Sequence, residues 1–239
     1  MEKLHIITPV KDSIDTATDT VRAIMALPPD FPFTYTVYND NSTPENTLRL
    51  QRLCRELGVR LMNLSDLTDH PSPNYLFVLQ REQACCLREN AALLIVESDV
   101  TVRPGTLDGL VRVAQEHADA GIVASVTVDR QGAMNYPYAF AAVYEGEPVV
   151  DTRHHLSFCC SLLTPALLRR VDFGQLNPEK NWFDVTISHL SLKAGLHNFM
   201  CPALPVLHRP HGSRPWKQLK YTNPLKYYWR KYWGGLDKI

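Results

Sequence analysis

The sequence predicts an α/β protein, a single Rossmann-like domain whose central sheet is mostly parallel and flanked by helices. Residues 1–130 alternate short apolar runs with segments in which apolar side chains recur every three or four positions, as in strands joined by helices. The run Ala91–Val96 contains no polar residue, which is typical of a strand covered on both faces. Turn-forming pairs such as Pro28–Pro29 and Pro104–Gly105 separate these segments.

Each element of the first half has its own signal. The predicted strands are short runs of β-branched, aromatic and aliphatic residues: Leu4–Val10, Thr34–Tyr38, Val59–Leu64, Ala91–Val96 and Gly121–Val128. The intervening helices carry apolar stripes at helical spacing: Ala17, Val21 and Ile24, then Leu50, Leu53, Cys54 and Leu57, then Leu107, Leu110, Val111 and Ala114. Ser42 and Glu45 predict a capping box for the second helix, and Gly58 ends it. A loop is predicted over residues 65–74 and a helix over 75–91.

The second half of the chain is less regular. Strands are predicted over Ala139–Tyr144, Leu156–Leu163 and Ala203–His208. Pro165 opens a short helix, and a longer helix is predicted over Trp182–Ala194. No repeat or long linker interrupts the pattern, which indicates one domain.

Composition and charge exclude several classes of function. Lys plus Arg and Asp plus Glu number 25 each, so the net charge gives no indication of a nucleic-acid partner. No apolar run approaches the roughly 18 residues of a membrane span. Residues 1–5 lead directly into a strand pattern without the features of a signal peptide, and we expect a cytoplasmic protein. The six cysteines form no Cys-x-x-Cys pair, which disfavours zinc.

Acidic side chains lie at predicted strand ends or loop exits in three places. Glu97 and Asp99 come directly after a buried strand, Asp40 follows the second strand, and Asp184 lies at the start of a helix. Because the carboxyl ends of parallel strands meet at one edge of a sheet, we expect these carboxylates to line one crevice. Two carboxylates one residue apart suit a hard divalent cation such as Mg²⁺ or Mn²⁺. Taken singly, Asp40 is also explained by an Asx turn, and Asp184 by the favourable charge of a first helical turn.

The order of five short motifs resembles that of family 2 glycosyltransferases of the GT-A fold. The motifs are Thr8-Pro9-Val10, Asn39-Asp40-Asn41-Ser42, Glu97-Ser98-Asp99, Asn181-Trp182-Phe183-Asp184 and Val206-Leu207-His208. The resemblance covers residues 4–212 and rests on the set, since each motif is short. It implies an enzyme that moves a sugar from a nucleotide diphosphate sugar to an acceptor hydroxyl with inversion, using Mn²⁺ or Mg²⁺.

The resemblance also implies roles for individual residues. Asp184 is the implied catalytic base, and Asp99, with Glu97 and His208, is the implied metal ligand, His211 being a competing candidate for the histidine. The implied nucleotide-binding residues are Thr8, Pro9, Val10, Asn39, Asp40, Arg81 and Ser98. These residue types fit the chemistry, because the acceptor hydroxyl must lose its proton to a base while a cation neutralises the leaving diphosphate.

Two other functions compete with sugar transfer. A nucleotidyltransferase would need a glycine-rich phosphate loop after the first strand, and residues 8–19 contain no glycine, which disfavours it. A non-catalytic nucleotide-binding or glycan-binding module stays open, because Asn39, Glu97 and Phe183 depart from the family's acidic residues. No motif distinguishes the donor sugar, the base or the acceptor.

The C-terminal residues differ in composition from the rest. We expect a glycosyltransferase domain over residues 1–212, with a nucleotide-binding half of about 1–130 and an acceptor half of about 131–212, followed by a basic-aromatic tail over 213–239. Lysine, arginine, tyrosine and tryptophan are interleaved over 217–238. This mixture suits packing on the domain or peripheral contact with an anionic membrane, and nucleic acid is disfavoured. A saccharide or lipid-linked acceptor, as in surface glycan synthesis, would place the protein at the inner face of a membrane.

Overall fold

Nine strands form one sheet within the part of the chain that the structure describes. This computed structural model describes residues 1–179, 182–209 and 223–233. The chain divides into two units, Met1–Arg209 and Pro210–Ile239, and the sheet belongs to the first. Its strands are β1 (Lys3–Val10), β2 (Phe33–Asn39), β3 (Arg60–Asn63), β4 (Ala91–Val96), β5 (Val100–Thr101), β6 (Ala120–Val128), β7 (Val150–Thr152), β8 (Cys160–Leu163) and β9 (His197–His208).

Helices cover the sheet and connect its strands. In the first unit they are α1 (Ile14–Ala26), α2 (Pro44–Leu57), α3 (Tyr75–Glu89), α4 (Thr106–Glu116), α5 (Pro165–Arg170) and α6 (Phe183–Lys193). Short 3₁₀ helices span Leu64–Asp66, Ala139–Tyr144 and Phe173–Gln175. The second unit contains α7 (Pro224–Trp233). No helix of the described residues is both long enough and apolar enough to cross a membrane.

The strand order is β3-β2-β1-β4-β8-β6-β9-β5, and β7 pairs with β9. The strands β3, β2, β1 and β4 are mutually parallel. Strand β8 runs antiparallel to both β4 and β6, and β9 is parallel to β6. The six strands β1, β2, β3, β4, β6 and β9 therefore point the same way, and the predicted α/β architecture with a mostly parallel sheet is confirmed.

Two apolar clusters cover opposite faces of the sheet, and β4 contributes to both. Leu94 and Val96 pack in the cluster that includes α1, α2 and α4, whereas Leu93 and Ile95 pack in the cluster that includes α3, α5 and α6. All six residues of β4 are buried. The run without polar residues is thus a strand covered on both faces, as predicted.

Four predictions for single elements are wrong in detail. Residues 139–144 form a 3₁₀ helix and not a strand, and the side chain of Val143 is exposed there. Strand β8 begins at Cys160 and not at Leu156, because the backbone N–H groups of Leu156 and Ser157 bond to the side chains of Ser188 and Tyr138 and not to a neighbouring strand.

The other two differences concern a helix start and a strand length. The cap of α2 is Thr43, whose hydroxyl accepts from the N–H of Asn46 at 3.4 Å, and not Ser42. Strand β9 begins six residues before the predicted start. Pro202 and Pro205 interrupt its sequence pattern, and they lie where the register between β6 and β9 shifts. Proline has no N–H for the ladder, so it is tolerated at such a bulge.

Candidate active site

The carboxyl ends of four strands meet at one edge of the sheet and carry the predicted site residues. Strand β1 ends at Val10, β2 at Asn39, β4 at Val96 and β9 at His208. The N–H of Asp40 bonds to the carbonyl of Val10 at 2.8 Å, which ties the ends of β1 and β2 together. This edge is where α/β sheets bind ligands.

Asp99 and His208 are neighbours because β5 pairs with the end of β9. Val100 of β5 is opposite His208 in the antiparallel ladder, and the N–H of Arg209 bonds to the carbonyl of Asp99 at 2.9 Å. The Nε2 of His208 lies 3.4 Å from Oδ2 of Asp99. Both side chains are buried. The sequence separates these residues by more than a hundred positions, and the ladder brings them together.

His208 is oriented by its second ring nitrogen. Nδ1 is 2.7 Å from the carbonyl of Tyr136, so Nδ1 carries the proton and Nε2 points toward Asp99. Burial alone would lower the pKa of His208, but the hydrogen bond and negative charge of Asp99 outweigh it, and the pKa is raised. A histidine held through Nδ1 in this way is the usual arrangement of a metal-ligating imidazole.

Glu97 lies in the most acidic part of the site. Its N–H bonds to the carbonyl of Cys159 at 2.9 Å, and the Cys159 thiol donates to Oε2 at 3.5 Å. Burial, followed by the negative charges of Asp99 and Asp184, raises the pKa of Glu97 to about 7, although the positive His208 opposes the shift. Asp99 and Asp184 are therefore close enough to Glu97 to raise its pKa.

Asp184 reaches this group from the first turn of α6. Helix α6 begins at Phe183, close to the predicted start. One oxygen of Asp184 accepts a hydrogen bond from the N–H of Val185 at 2.9 Å, which suits a carboxylate at a helix N-terminus. Its negative charge helps to raise the pKa values of both Glu97 and Tyr75. The structure thus brings Asp184 near Glu97, on which the charges of Asp99 and His208 also act.

Asp40 is engaged by the loop that precedes α3. Its Oδ2 accepts from the Ser72 hydroxyl at 2.7 Å and from the N–H of Asn74 at 2.9 Å. Its Oδ1 accepts from the side-chain amide of Asn74 at 2.7 Å. None of these three bonds forms the Asx turn that would explain Asp40 by local structure. All of them join residues of the described chain that are more than thirty positions from Asp40. Asp40 therefore fixes the start of α3 against the end of β2.

Three other predicted nucleotide-binding side chains already hold polar partners. Asn39 donates to the side chains of Thr47 and Asn63 and accepts from the N–H of Ser42. The Thr8 hydroxyl is 2.9 Å from the Tyr35 hydroxyl, and the Ser98 hydroxyl is 2.8 Å from that of Ser13. These bonds make the edge of the sheet rigid. Pro9 and Val10 lie at the same edge.

Arg81 lies in the middle of α3, where its positive charge and hydrogen bond act on the Tyr38 hydroxyl. It also lines a shallow depression with Phe77 and Arg88 on the surface of that helix. No bond in the described structure links it to the group formed by Glu97, Asp99, Asp184 and His208. Its assignment to the nucleotide stays a prediction, as do the other residue roles. His211 lies outside the described residues.

The sequence analysis missed Tyr75, Asn74 and Cys159. Tyr75 is the first residue of α3 and stacks on Phe183, with ring centroids 6.4 Å apart and planes 20° apart. The negative charges of Glu97 and Asp184 both act on its hydroxyl. No spacing pattern marks these residues, because their place in the site depends on the loop that Asp40 anchors and on the antiparallel approach of β8.

The residue types at this edge suit a divalent cation, although the ligand atoms of Glu97, Asp99 and His208 do not all lie within 4.8 Å of one another in the described structure. Asp99 and Glu97 offer carboxylate oxygens and His208 offers Nε2, a combination that suits Mn²⁺ and, with fewer protein ligands, Mg²⁺. The pKa of Glu97 is raised first by burial and then by the negative charges of Asp99 and Asp184. A cation would offset those charges.

Solved structures of glycosyltransferases share this architecture. Residues 1–349 of S. aureus TarS match it with a TM-score of 0.60 at 16% sequence identity, over 86% of this chain and 60% of that one. The mannosyltransferase PcManGT from Pyrobaculum calidifontis, in complex with GDP-Man and Mn²⁺, matches with a TM-score of 0.62 at 15% identity, over 96% of this chain and 64% of that one. The chain has the fold of these glycosyltransferases.

The likeness establishes the fold at low sequence identity. TarS 1–349 in complex with UDP-GlcNAc gives a TM-score of 0.59 at 17% identity, over 87% of this chain and 59% of that one. The chain thus spans less than two thirds of the length of these glycosyltransferase structures. No family model and no curated protein matches the sequence. The predicted resemblance to a glycosyltransferase is confirmed at the level of the fold.

A second group of ligand-type side chains lies between β1 and α3. Within the described residues, His5, Glu82 and Cys86 place ligand atoms within 4.8 Å of one another, all buried, so by distance they could hold a metal ion. His5 lies five residues before the end of β1, which is about 16 Å along the strand from Val10. This group is therefore separate from the carboxylates at the edge of the sheet.

The side chains around His5 also form a network of ion pairs. Nδ1 of His5 is 3.0 Å from Glu82, and Nε2 is 3.3 Å from Glu89. The Tyr38 hydroxyl donates to Glu82, and Lys3 pairs with Glu89 at 2.6 Å. The hydrogen bond to Glu82 is the largest cause of a raised His5 pKa, ahead of the opposing effect of burial. Two cations balance two anions here, and the network fastens α3 to β1.

We expect the His5 imidazolium to stabilise the fold most at low pH. Because the folded-state pKa lies above the ordinary 6.5, this contribution is complete below pH 6.5 and is lost as the pH rises through the folded pKa. Urea unfolding of wild type and His5→Asn from about pH 5.5 to about pH 8.5 measures it. The variant should lose about 1–3 kcal/mol at the acid end and less at the alkaline end.

The matched control is His197→Asn, because His197 also has a raised pKa, caused first by its hydrogen bond to Asp151, but is exposed. Solvent screens such a pair, so its loss should be small at every pH. A His5→Asn deficit that grows as the pH rises would contradict the assignment.

Proposed function

We propose that this chain is an inverting glycosyltransferase that moves a sugar from a nucleotide diphosphate sugar to an acceptor hydroxyl. The observation that carries the proposal is the convergence of Asp184 with Glu97, Asp99 and His208 at the carboxyl edge of the sheet. One carboxylate there can serve as a base while the others hold a cation. The fold supports the proposal, since PcManGT is in complex with GDP-Man and Mn²⁺ and TarS with UDP-GlcNAc.

In the proposed reaction, Asp184 accepts the proton of the acceptor hydroxyl as that oxygen attacks the anomeric carbon. The sugar–phosphate bond breaks on the opposite side, which inverts the configuration. Asp99, His208 and Glu97 would hold Mn²⁺ or Mg²⁺, which when bound supplies positive charge to the departing diphosphate. A single base is then enough, because a diphosphate needs no acid to protonate it, in contrast to the leaving group in glycoside hydrolysis.

The proposed nucleotide site follows the ends of β1 and β2. Thr8, Pro9, Val10, Asn39 and Asp40 lie along those ends. Ser98 lies between the two proposed metal ligands, and Arg81 would approach the nucleotide from α3. In this scheme the nucleotide site belongs to the half of the domain up to about residue 130, and the acceptor site to the half from about 131 to 212.

We expect Asp184→Asn to remove transfer while leaving donor binding intact. Asparagine keeps the size and one acceptor oxygen of aspartate but cannot take a proton, so kcat should fall by about 10²–10⁴-fold. Turnover of UDP-GlcNAc and GDP-mannose, with calorimetric binding of the same donors, separates the two effects.

Asp119→Asn is a suitable control, because Asp119 precedes β6 and lies at the opposite edge of the sheet. Loss of donor binding in a folded Asp184→Asn protein would contradict the assigned role. Wild-type protein that binds donors but never transfers or hydrolyses them would favour the non-catalytic binding module, for which the departures at Asn39, Glu97 and Phe183 argue.

Nucleotide affinity should depend on a divalent cation. We expect Mn²⁺ to tighten binding of nucleoside diphosphates, and Asp99→Asn to weaken the Mn²⁺-dependent part by at least about tenfold. Thermal shift against uridine, guanosine, thymidine and cytidine diphosphates, with Mn²⁺ and with a chelator, measures this through linkage. Equal shifts with metal and with chelator would rule out the proposed metal.

We further propose that the acceptor lies at a membrane surface and that α7 contacts the lipid. Its exposed apolar residues Leu225, Trp229 and Trp233 recur every four positions, with 87%, 66% and 78% of their surface exposed. The two tryptophan rings stack with centroids 5.4 Å apart. Lys226 is exposed beside them, and tryptophan with lysine is typical of helices that lie on anionic membranes. The rest of the predicted tail, residues 213–222 and 234–239, lies outside the described residues.

The full chain should bind anionic vesicles through α7. We expect flotation with phosphatidylglycerol vesicles, little with phosphatidylcholine vesicles, and loss of flotation in Trp229→Ser/Trp233→Ser. Val143→Ser is the matched control, because it removes a side chain that is 81% exposed in the first unit. Unchanged flotation of the double variant would show that α7 is not the contact.

A further inference from the structure

Tyr75 lies where the two helices that border the proposed active site begin. It is the first residue of α3, and its ring stacks on Phe183, the first residue of α6, at a centroid distance of 6.4 Å. This separation is within the range of favourable aromatic pairs. Asp184, the proposed base, directly follows Phe183. The Tyr75 ring therefore has a defined position next to the base.

The hydroxyl of Tyr75 is buried but bonds to nothing in the described part of the chain. It has almost no solvent-accessible surface and no hydrogen-bond partner there. A buried polar atom without a partner lowers stability relative to an apolar group of the same shape, and native proteins contain few of them. A phenol in this position thus weakens the fold, where a phenyl ring would fill the same space.

The charges that act on this hydroxyl are those of the site. Burial is the main cause of a pKa raised well above the ordinary value for tyrosine, and the negative charges of Glu97 and Asp184 follow. The hydroxyl is therefore near both carboxylates and stays protonated. It can donate one hydrogen bond and accept others.

The loop before α3 holds Tyr75 in place. Asn74, the preceding residue, bonds to Asp40 through both its N–H and its side-chain amide, at 2.9 and 2.7 Å. Ser72 adds a third bond to the same carboxylate at 2.7 Å. A hydroxyl fixed at both its ring and its backbone loses little conformational freedom on meeting a substrate.

We propose that the Tyr75 hydroxyl binds the transferred sugar of the donor, through a hydrogen bond with one of the sugar's own hydroxyl groups. This inference rests on the proposed function. The anomeric carbon lies between the diphosphate that leaves and the acceptor oxygen that attacks. If Glu97 and Asp99 hold the diphosphate and Asp184 meets the acceptor, a group near both Glu97 and Asp184 faces the sugar. Tyr75 would then help determine which sugar the enzyme accepts, because an unpaired hydroxyl disfavours a sugar that offers no partner.

The test compares Tyr75→Phe with wild type on nucleotide sugars and on the matching nucleoside diphosphates. The probes are UDP-GlcNAc, GDP-mannose, UDP and GDP, with Mn²⁺, measured by calorimetry. We expect affinity for the nucleotide sugar to fall about fivefold to tenfold, the range for one lost hydrogen bond, while affinity for the nucleoside diphosphate stays the same. The melting temperature should be equal or higher, because the variant removes a polar atom that has no partner in the described fold.

Two further comparisons sharpen the test. Tyr144→Phe removes a phenolic hydroxyl from the 3₁₀ helix at residues 139–144 and should change neither affinity. Donors that lack one sugar hydroxyl at a time should identify the contact, since the donor without the contacted hydroxyl should bind wild type and Tyr75→Phe equally.

The outcomes separate this inference from the proposed function. If wild type binds no nucleotide sugar, both fail. If wild type binds and transfers but Tyr75→Phe binds nucleotide sugars normally, only the sugar contact fails. Equal losses for nucleotide sugars and nucleoside diphosphates, or a lower melting temperature, would also overturn it, because they indicate a nucleotide contact or a structural role.

Discussion

The arrangement of the site depends on the meeting of three carboxylates, one buried and two half-buried, at one edge of the sheet. Burial raises the pKa of Glu97 to about 7, and the negative charges of Asp99 and Asp184 add to that effect. Like charges held this close are costly unless a cation or proton offsets them. His208 supplies part of the positive charge, and its own position depends on the pairing of β5 with β9. The architecture of the sheet thus determines both the acidity of the site and the charge that balances it.

Much of the first half of the fold could be predicted from the sequence, because its signals are local. The apolar run of β4, the apolar stripes of α1 and α2, and the turn residues between them all act over a few positions. The second half could not be predicted as well. Residues 156–159 have the composition of a strand, but side chains of Ser188 and Tyr138 take two of their backbone N–H groups. Such long-range competition leaves no periodic pattern.

The residues of the candidate site show the same difference between local and long-range signals. Glu97 and Asp99 follow directly from a strand that ends in acid, so local sequence indicates them. Asp184 and His208 are close to that pair only in the folded chain, so local sequence does not indicate them. The resemblance of the motifs predicted that they belong to the same site. Tyr75 was missed because neither the local sequence pattern nor the motif resemblance indicates it. Its position follows from Asp40, which binds a loop more than thirty residues away, and from a ring stack between the starts of two helices.

The bonds of Asp40 also limit what it can offer a ligand. A carboxylate has about four acceptor positions, and three of those on Asp40 are taken by Ser72 and Asn74. Among the bonds that the described residues make, one acceptor direction is left, on Oδ1. A nucleobase that met Asp40 would therefore be matched through one N–H, and a base edge with two adjacent donors would leave one of them without a partner on this side chain. The same three bonds that make the loop rigid thus narrow the choice of base.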